Sequence, residues 1–473
     1  MLKRSYFDLI LSVAFLVILA TAACSSGPGK AAKEVSWDSV DEILLQIKAP
    51  TFPDKTFNIT EFGAVADGKT MSTEAINKAI IACTEQGGGI VVVPNGVFLT
   101  GAIHLKSNVN LHLEEEATLK FSQNDSDYLP LVFTRWEGTE CYNYSPFIYA
   151  YGQENVAITG QGTLDGNSDS DNWWFWKGEW SRKTWEVQPE NQANATAMLR
   201  QMAEDNIPVE ERIFGPGYYL RPKFIQFYSC KNILMEGVTI INSPMWVIHP
   251  VLSENITISN VSVISHGPNN DGCNPESSKN ILIQDCFFDT GDDCIAIKSG
   301  RNADGRRLNV PAENIVVRRC TMRDGHGGVV MGSEISGSVR NVFAEDCIMD
   351  SPNLDRIIRI KTNSLRGGVI ENIFVRNINV GNVRQAILHI DFDYEEGDAG
   401  QFTPVVRNIN LDNITSQSSD RAVFINAYER SPIKGVTIKN SSFNGVKKDN
   451  RINFVEDFTI ENVLVNGEPM VIP

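Results

Sequence analysis

The sequence predicts an all-β protein wound as a parallel β-helix, and three observations lead there. From Asn155 onward a pair made of Asn and a branched apolar residue recurs: Asn155-Val156, Asn232-Ile233, Asn255-Ile256, Asn280-Ile281, Asn314-Ile315, Asn341-Val342, Asn372-Ile373 and Asn408-Ile409. Gly435-Val436 and Asp457-Phe458 continue the series, and after residue 232 the units run 22 to 36 residues. Each pair opens period-two apolar alternation with polar corners, as from Asn280 to Phe288, and almost no stretch carries the helical period. Short β units that cannot bury a face alone must stack into a solenoid. A propeller requires four strands and roughly 40 residues per blade, more than these units hold.

The elements follow in chain order. Lys3 and Arg4, an apolar run from Leu9 to Ala20 and the ending Thr21-Ala22-Ala23-Cys24 make residues 1–23 an export signal, too short to span a membrane. The small-small-Cys ending resembles the bacterial lipobox. It implies cleavage before Cys24 and lipidation of that residue, hence an exported lipoprotein of the outer membrane on its periplasmic or cell-surface side, with the membrane touched only through that anchor. An ordinary signal peptide with an incidental cysteine is the alternative. Residues 24–50 read as a tether and lead-in, and 51–473 as the β-helix domain. Within it a helix is expected from Thr73 to Cys83, followed by Gly87-Gly88-Gly89 and a strand from Ile90 to Val93. The triplet has no Gly-Lys-Ser/Thr behind it and opens no helix, so it is a turn before the first coils rather than a phosphate loop.

Residues 167–219 interrupt the coils and carry five of the eight tryptophans: Trp173, Trp174, Trp176, Trp180 and Trp185. Two roles suit this insertion. It is a cap packed on the solenoid, or a wall whose aromatic faces stack on sugar rings and narrow one end of a cleft. Of nine cysteines, the eight beyond Cys24 show no Cys-x-x-Cys and no nearby His pair, so no zinc site is indicated. Cys230, Cys286, Cys320 and Cys347 fall at equivalent places and are expected as buried free thiols stacked inside. With 58 acidic against 42 basic residues and a net charge of −16, nucleic acid is not a partner. No cofactor or metal is indicated, and a capped solenoid of this kind is expected to be a monomer.

Chemistry concentrates in four short runs. Asp271 (in Asn269-Asn270-Asp271-Gly272) lies 21 and 22 residues before Asp292 and Asp293 (in Gly291-Asp292-Asp293-Cys294), the length of the shortest coils. These acids should therefore stack on neighbouring rungs, about 4.8 Å apart. Adjacent strand residues face opposite ways, so Asp292 and Asp293 converge only if the backbone turns, which Gly291 allows. Two further coils on, Gly325-His326-Gly327 lies 33 residues past Asp293, and another 33 gives Arg359-Ile360-Lys361, whose cations share a face. Clustered carboxylates repel, so at least one should keep its proton near neutrality. A protonated acid beside ionised ones is what glycosidic cleavage needs, one donating to the leaving oxygen and the others activating water. Arg359 and Lys361 suit an anionic group. Calcium binding or corner hydrogen bonding is the structural alternative for the acids.

The ordered set Asn-x-Asp, Gly-Asp-Asp, Gly-His-Gly and Arg-Ile-Lys resembles the polygalacturonase-type glycoside hydrolases of family 28. Phe62-Gly63-Ala64, Asp67-Gly68, Gly87-Gly88-Gly89 through Pro94, Phe98, Thr100 and Gly101 extend the resemblance over roughly 57–445. Three motifs stand intact, and Asn270 replaces the family's usual Thr in the first. The resemblance implies a single-stranded, right-handed, pectate-lyase-like parallel β-helix. It implies an inverting hydrolase of the α-1,4-galacturonosidic bonds of pectin, with an anionic pectic polysaccharide or oligosaccharide as partner. By similarity Asp292 is the general acid, Asp271 and Asp293 activate water, and His326 tunes the acid. Arg359, Lys361 and Tyr394 bind the sugar carboxylate and ring, and Asn269 shapes the site. The Trp-rich insertion and the run Ser243 to Pro250, with Trp246 and His249, resemble the bacterial exo-acting members and favour release of galacturonate from chain ends over internal cleavage. A hydrolase of rhamnogalacturonan fragments is the second reading. A calcium-dependent pectate lyase or a non-catalytic binding solenoid are the rivals from other classes.

Overall fold

The computed structural model describes residues 35–472, so residues 1–23, read above as an export signal, and Cys24 lie outside the described residues. The chain forms the expected right-handed parallel β-helix, and the recurring apolar partners of the Asn pairs are its register partners. Ile233, Ile256, Ile281, Ile315, Val342, Ile373, Ile409, Val436 and Phe458 pair in parallel, one above the next. All but Phe458 are buried; the free, buried Cys286, Cys320 and Cys347 each follow one of these strands and stack on one another, whereas Cys230, expected at an equivalent place, precedes its strand and sits at another corner beside Ser253. Each fully buried branched side chain contributes roughly 1.5–3 kcal/mol. Because every coil repeats the column, the stack needs no disulfide.

The asparagines explain the period. Asn155, Asn232, Asn255, Asn280, Asn314, Asn341, Asn372 and Asn408 all turn the corner at φ between +54° and +60°. Asn tolerates this left-handed conformation better than other side chains with a Cβ. Each donates from Nδ2 to the Oδ1 of the asparagine one coil earlier, at 2.8 to 3.4 Å, in a ladder that begins at Asn108. Gly435 (φ +71°) and Asp457 (φ +58°), which continue the series without Asn, take the same corner.

The face that bears the site is less regular. Strands Ile103–His104, Ile148–Tyr151, Ile225–Tyr228 and Ile248–Val251 form one stack, and Ile295–Ile297, Val329–Gly332, Arg356–Lys361, Ala386–Asp391 and Arg421–Asn426 belong to another. Between them the coil carrying Asp271 makes only isolated bridges, Ile248 to Cys273 to Ile295 and Val251 to Glu276 to Lys298.

Helices sit outside the coil. Helix α1 (Ser39–Gln46) lies in the stretch read as tether and lead-in, and just before it Trp37 packs edge-on against Phe343 and Phe374, 5.6 and 6.3 Å between centroids. Helix α2 (Thr73–Glu85) matches the expected one, runs two residues longer, and buries Ile76, Ala79, Ile80 and Cys83 over the first coils. Besides α1, two helices were not legible. In the insertion α3 (Ala193–Glu204) buries only Ala195, Leu199 and Ala203, one small stripe with a residue per turn. The other, α4 (Asn302–Leu308), has only two turns in which to show a period.

Candidate active site

Backbone hydrogen bonds set the motifs on consecutive rungs. The Gly272 N–H donates to the Asp293 carbonyl (3.0 Å), Cys294 N–H to Gly327 (2.8 Å) and Gly328 N–H to Arg356 (2.9 Å). Gly325-His326-Gly327 is therefore one coil beyond Asp293, not two, because those 33 residues include α4. Gly291 is needed for close approach rather than for a left-handed turn: a Cβ there would lie 2.4 Å from the Gly267 carbonyl oxygen. A Cβ on Gly325 would lie 2.7 Å from the Asp292 carbonyl, and one on Gly327 would lie 3.2 Å from Asp293 Oδ1. These contacts give the Gly-His-Gly pattern its physical reason. The chain bends at Asp292, between Phe287–Thr290 and Ile295–Ile297, so both acids turn to one side.

Asp271, Asp292, His326, Arg359, Lys361, Asn269 and Tyr394 line one cavity of about 710 Å³, with Asp293 beneath it. Lys361 Nζ donates to Asp293 Oδ2 at 2.6 Å and Arg359 to Oδ1 at 3.4 Å, while Ile360 points into the core. The Tyr394 ring lies 5.4 Å from the Arg359 guanidinium and 5.3 Å from Lys361 Nζ. His326 Nδ1 is 3.0 Å from Asp292 Oδ1. Asn269 Oδ1 accepts from Arg221 at 2.8 Å. Asn270, the departure from the family pattern, turns inward: its Oδ1 accepts from the Ser265 hydroxyl (2.6 Å) and the Gly267 N–H (2.8 Å), which pins the loop beneath Asp271.

Electrostatics divides the three acids. Burial and the neighbouring Asp292 push the Asp271 carboxyl well above its usual range, against the more distant Lys298 at 3.7 Å. Burial alone would raise Asp293 too, but Lys361 and Arg359 outweigh it and hold it ionised. Asp292 likewise goes below its usual value, because the His326 imidazolium beside it, then Lys361 and Lys298, overcome burial. Asp292 in turn raises His326. Of the three, Asp271 is thus the acid whose surroundings favour the protonated form. The group placed to share a proton with Asp292 is His326, whose Nδ1 is 3.0 Å away and whose imidazole is biased toward the protonated form. Of the three carboxylates Asp292 is the most open, with its side chain 18% exposed against 4% for Asp271 and 0% for Asp293.

Several lining residues escaped the sequence reading. Lys298 bonds Glu334 (2.9 Å) and stands over the Trp246 ring (4.6 Å), whose other cation is the buried Lys223 at 4.2 Å. A signal existed: Ile297 pairs with Met331 and Met331 with Ile360, so Lys298 follows in the line that ends at Lys361. Glu137, Lys177, Arg200 and Arg356 also line the cavity, but they come from a hairpin, the insertion and a strand end whose folding no local pattern announces. His249 is buried between Gln226 and Glu276 and does not reach the cavity.

The insertion proves to be both wall and cap. Trp173 and Trp176 are buried against Tyr128 and Tyr144, Trp174 Nε1 donates to the Ser243 carbonyl (2.8 Å), and Trp180 stacks on Trp185 at 5.7 Å. Of the five, Trp180 is the one that lines the cavity. For a metal, His266, Asp289 and Asp324 offer ligand atoms within 4.8 Å of one another among the described residues. Asp324 already accepts from Ser351 (2.5 Å) and Asn353 (3.1 Å), and none of the three lines the cavity.

A parallel β-helix with three acids, a histidine and paired cations in one cleft defines a class, the carbohydrate-cleaving solenoids that work with carboxylates. Comparison with known proteins gives the family. The model for "Glycosyl hydrolases family 28" matches residues 218–463, and one described as "Rhamnogalacturonase A/epimerase, pectate lyase-like" matches 56–123. A crystal structure of a hyperthermoactive exopolygalacturonase from Thermotoga maritima superposes with a TM-score of 0.89 at 47% identity, covering 92% of this chain and 97% of that one. A probable polygalacturonase of Vitis vinifera is 29% identical over 84% of this chain and 75% of its own. An exo-poly-α-D-galacturonosidase of Dickeya chrysanthemi is 28% identical over 77% of this chain and 62% of its own. The chain belongs to glycosyl hydrolases family 28, and it is a glycoside hydrolase of the polygalacturonase type.

Proposed function

We propose that this hydrolase cleaves the α-1,4-galacturonosidic bonds of homogalacturonan with inversion, and that it works from chain ends and releases galacturonate. One observation carries the proposal: acids and cations meet in a single cavity that the insertion helps to line. The relatives named as exo-acting support the same conclusion.

The roles follow from position and charge. Asp292, the open carboxylate, delivers a proton to the glycosidic oxygen as its bond to the anomeric carbon breaks. That proton comes across the 3.0 Å contact with His326. An anionic sugar entering the cleft adds negative charge beside Asp292 and draws the shared proton toward the carboxyl. Asp293, kept ionised by Lys361 and Arg359, takes a proton from the water that attacks the opposite side of the ring. Asp271, which keeps its own proton, hydrogen-bonds that water and fixes its direction. Arg359 and Lys361, with Tyr394 against them, hold the carboxylate of a galacturonate ring, and the Arg359 Nε has no protein partner among the described residues. Asn269, fixed by Arg221, lines the cleft beside Asp271. The lipobox-like ending at Cys24 supports an outer-membrane lipoprotein, with a monomer as the working form.

The test is a time course of product sizes with de-esterified polygalacturonate and a chelator present. Monogalacturonate from the earliest points, with no intermediate oligomers, is expected. A ladder of oligomers would keep the chemistry and overturn the exo assignment. Unsaturated products in a parallel course without chelator, absent when it is present, would mean a lyase. Cleavage of rhamnogalacturonan fragments alone would replace the substrate.

A further inference from the structure

Two groups in the cavity have no part in the chemistry above, and both sit on elements added to the solenoid. Lys177 ends the short turn Trp174–Lys177, which is rooted by the buried Trp173 and Trp176 and by the bond from Trp174 to Ser243 (2.8 Å). Its ammonium lines the cavity and, among the described residues, makes no hydrogen bond and no ion pair. Burial lowers its pKa, while the fields of Glu137 and Asp292 act to raise it. A half-buried cation without a partner is costly to hold unless an anion arrives.

Glu137 stands at the tip of the hairpin Val132–Trp136 and Thr139–Asn143, at φ +44°. Gly138 behind it is pressed on the main coil: a Cβ there would lie 2.6 Å from the Arg301 nitrogen, whose N–H donates to the Gly138 carbonyl at 3.0 Å. Glu137 Oε2 accepts from Arg200 at 2.9 Å, and its side chain is 11% exposed. A carboxylate in a cleft for an anionic chain repels the sugar's own carboxylate, so its use is to accept a hydrogen bond from a hydroxyl.

Placement along the coil gives these groups their meaning. Arg359 and Lys361 lie on the C-terminal side of Asp292, beyond the His326 rung. Lys177 lies on the other side, where the earlier coil supplies Arg221, one of the charges acting on it together with Arg200. A chain bound across Asp292 therefore meets a cation on each side of the bond to be cut.

We infer that Lys177 and Glu137 form the subsite for the terminal uronate at the non-reducing end. Lys177 pairs with the carboxylate of that ring. Glu137 accepts from its 4-hydroxyl, a proton donor that exists only at a chain end because in every internal ring that oxygen is glycosidic. This rests on the exo-acting reading above.

The experiment compares three trimers: trigalacturonate, its analogue methyl-esterified only on the non-reducing ring, and the trimer whose non-reducing ring is 4,5-unsaturated and lacks the 4-hydroxyl. The wild type is expected to favour trigalacturonate over either analogue by about 10- to 100-fold in kcat/KM, the scale of a hydrogen bond to a charged group. Lys177→Met should bring the acid-to-ester preference close to one, and Lys177→Arg should restore most of it. Glu137→Gln should do the same to the preference for the 4-hydroxyl. Variants that lose rate equally on all three trimers and keep the wild-type preferences would overturn the subsite and make both residues structural. A wild type that attacks longer chains internally and ignores the terminal ring would instead break the exo reading, and the subsite with it.

Discussion

The cleft has two walls of different construction. On the solenoid wall every reacting group is tied to another: His326 to Asp292 (3.0 Å), Lys361 to Asp293 (2.6 Å), Asn274 to Asp271 (2.7 Å) and Lys298 to Glu334 (2.9 Å). Their backbones are locked rung to rung. On the added wall Trp180 stacks on its neighbour Trp185, Arg200 holds Glu137 by one contact, and Lys177 is unpaired among the described residues. The difference teaches a division of labour. Groups that must keep their protonation and geometry through a reaction are fixed by the repeat, and groups on the added wall are left with bonding capacity to spare for a ligand.

Several substitutions would break this contrast. The largest loss is expected from Asp292→Asn, which removes the proton donor: kcat should fall about a thousandfold or more with KM and melting temperature little changed. Near-normal turnover would remove Asp292 from the chemistry. Lys361→Met should act on both chemistry and fold, since it leaves the buried Asp293 with only Arg359. A destabilisation of roughly 3–5 kcal/mol in denaturant titration is expected. Asp293 is held below its ordinary pKa, so its contribution to stability is present above that ordinary value and lost as pH falls. The variant should therefore lose most of the wild type's acid-side sensitivity at this site. An unchanged acid limb would show that Lys361 does not hold the charge.

His326→Ala should move a pH limb rather than abolish activity. His326 is raised above its usual value, so the pair it forms with Asp292 keeps its proton, and its share of stability, until pH climbs past the ordinary histidine range. Without the imidazole the carboxyl stands alone and sheds its proton sooner, and the alkaline limb of kcat/KM should shift to lower pH. The smallest effect is expected at the asparagine ladder, which belongs to another sheet and does not line the cavity. Asn314→Ala cuts two ladder bonds, to Asn280 (3.0 Å) and from Asn341 (2.9 Å), and takes from a left-handed corner the side-chain amide that makes Asn tolerant of it. About 1–3 kcal/mol of stability should go, with kcat intact. A comparable loss of kcat would mean the ladder face and the site are coupled.

What was legible in the sequence follows the same line. The coil and its motifs repeat, so Asn280-Ile281 or Arg359-Ile360-Lys361 announce their faces through spacing alone. Lys298 lay within reach of the same reasoning, one alternation beyond Ile297. Neither Glu137 nor Lys177 did, because each depends on a hairpin or insertion folding back over distant coils, and no local period encodes that. Protonation was legible only in kind. Crowded acids had to include one with a raised pKa, but that it is Asp271, with Asp292 paired to an imidazolium, depends on burial and on a 3.0 Å contact between coils.

The central claim is that Asp292 and the Asp271–Asp293 pair work from opposite sides of the sugar, which fixes the stereochemistry. It is tested most directly by following the anomeric proton signals of the first sugar released from trigalacturonate, before mutarotation equilibrates them. The β-anomer appearing first is the expected result, and it would place the attacking water opposite the leaving group. The α-anomer appearing first would mean retention through a covalent intermediate and would contradict the roles given to all three acids.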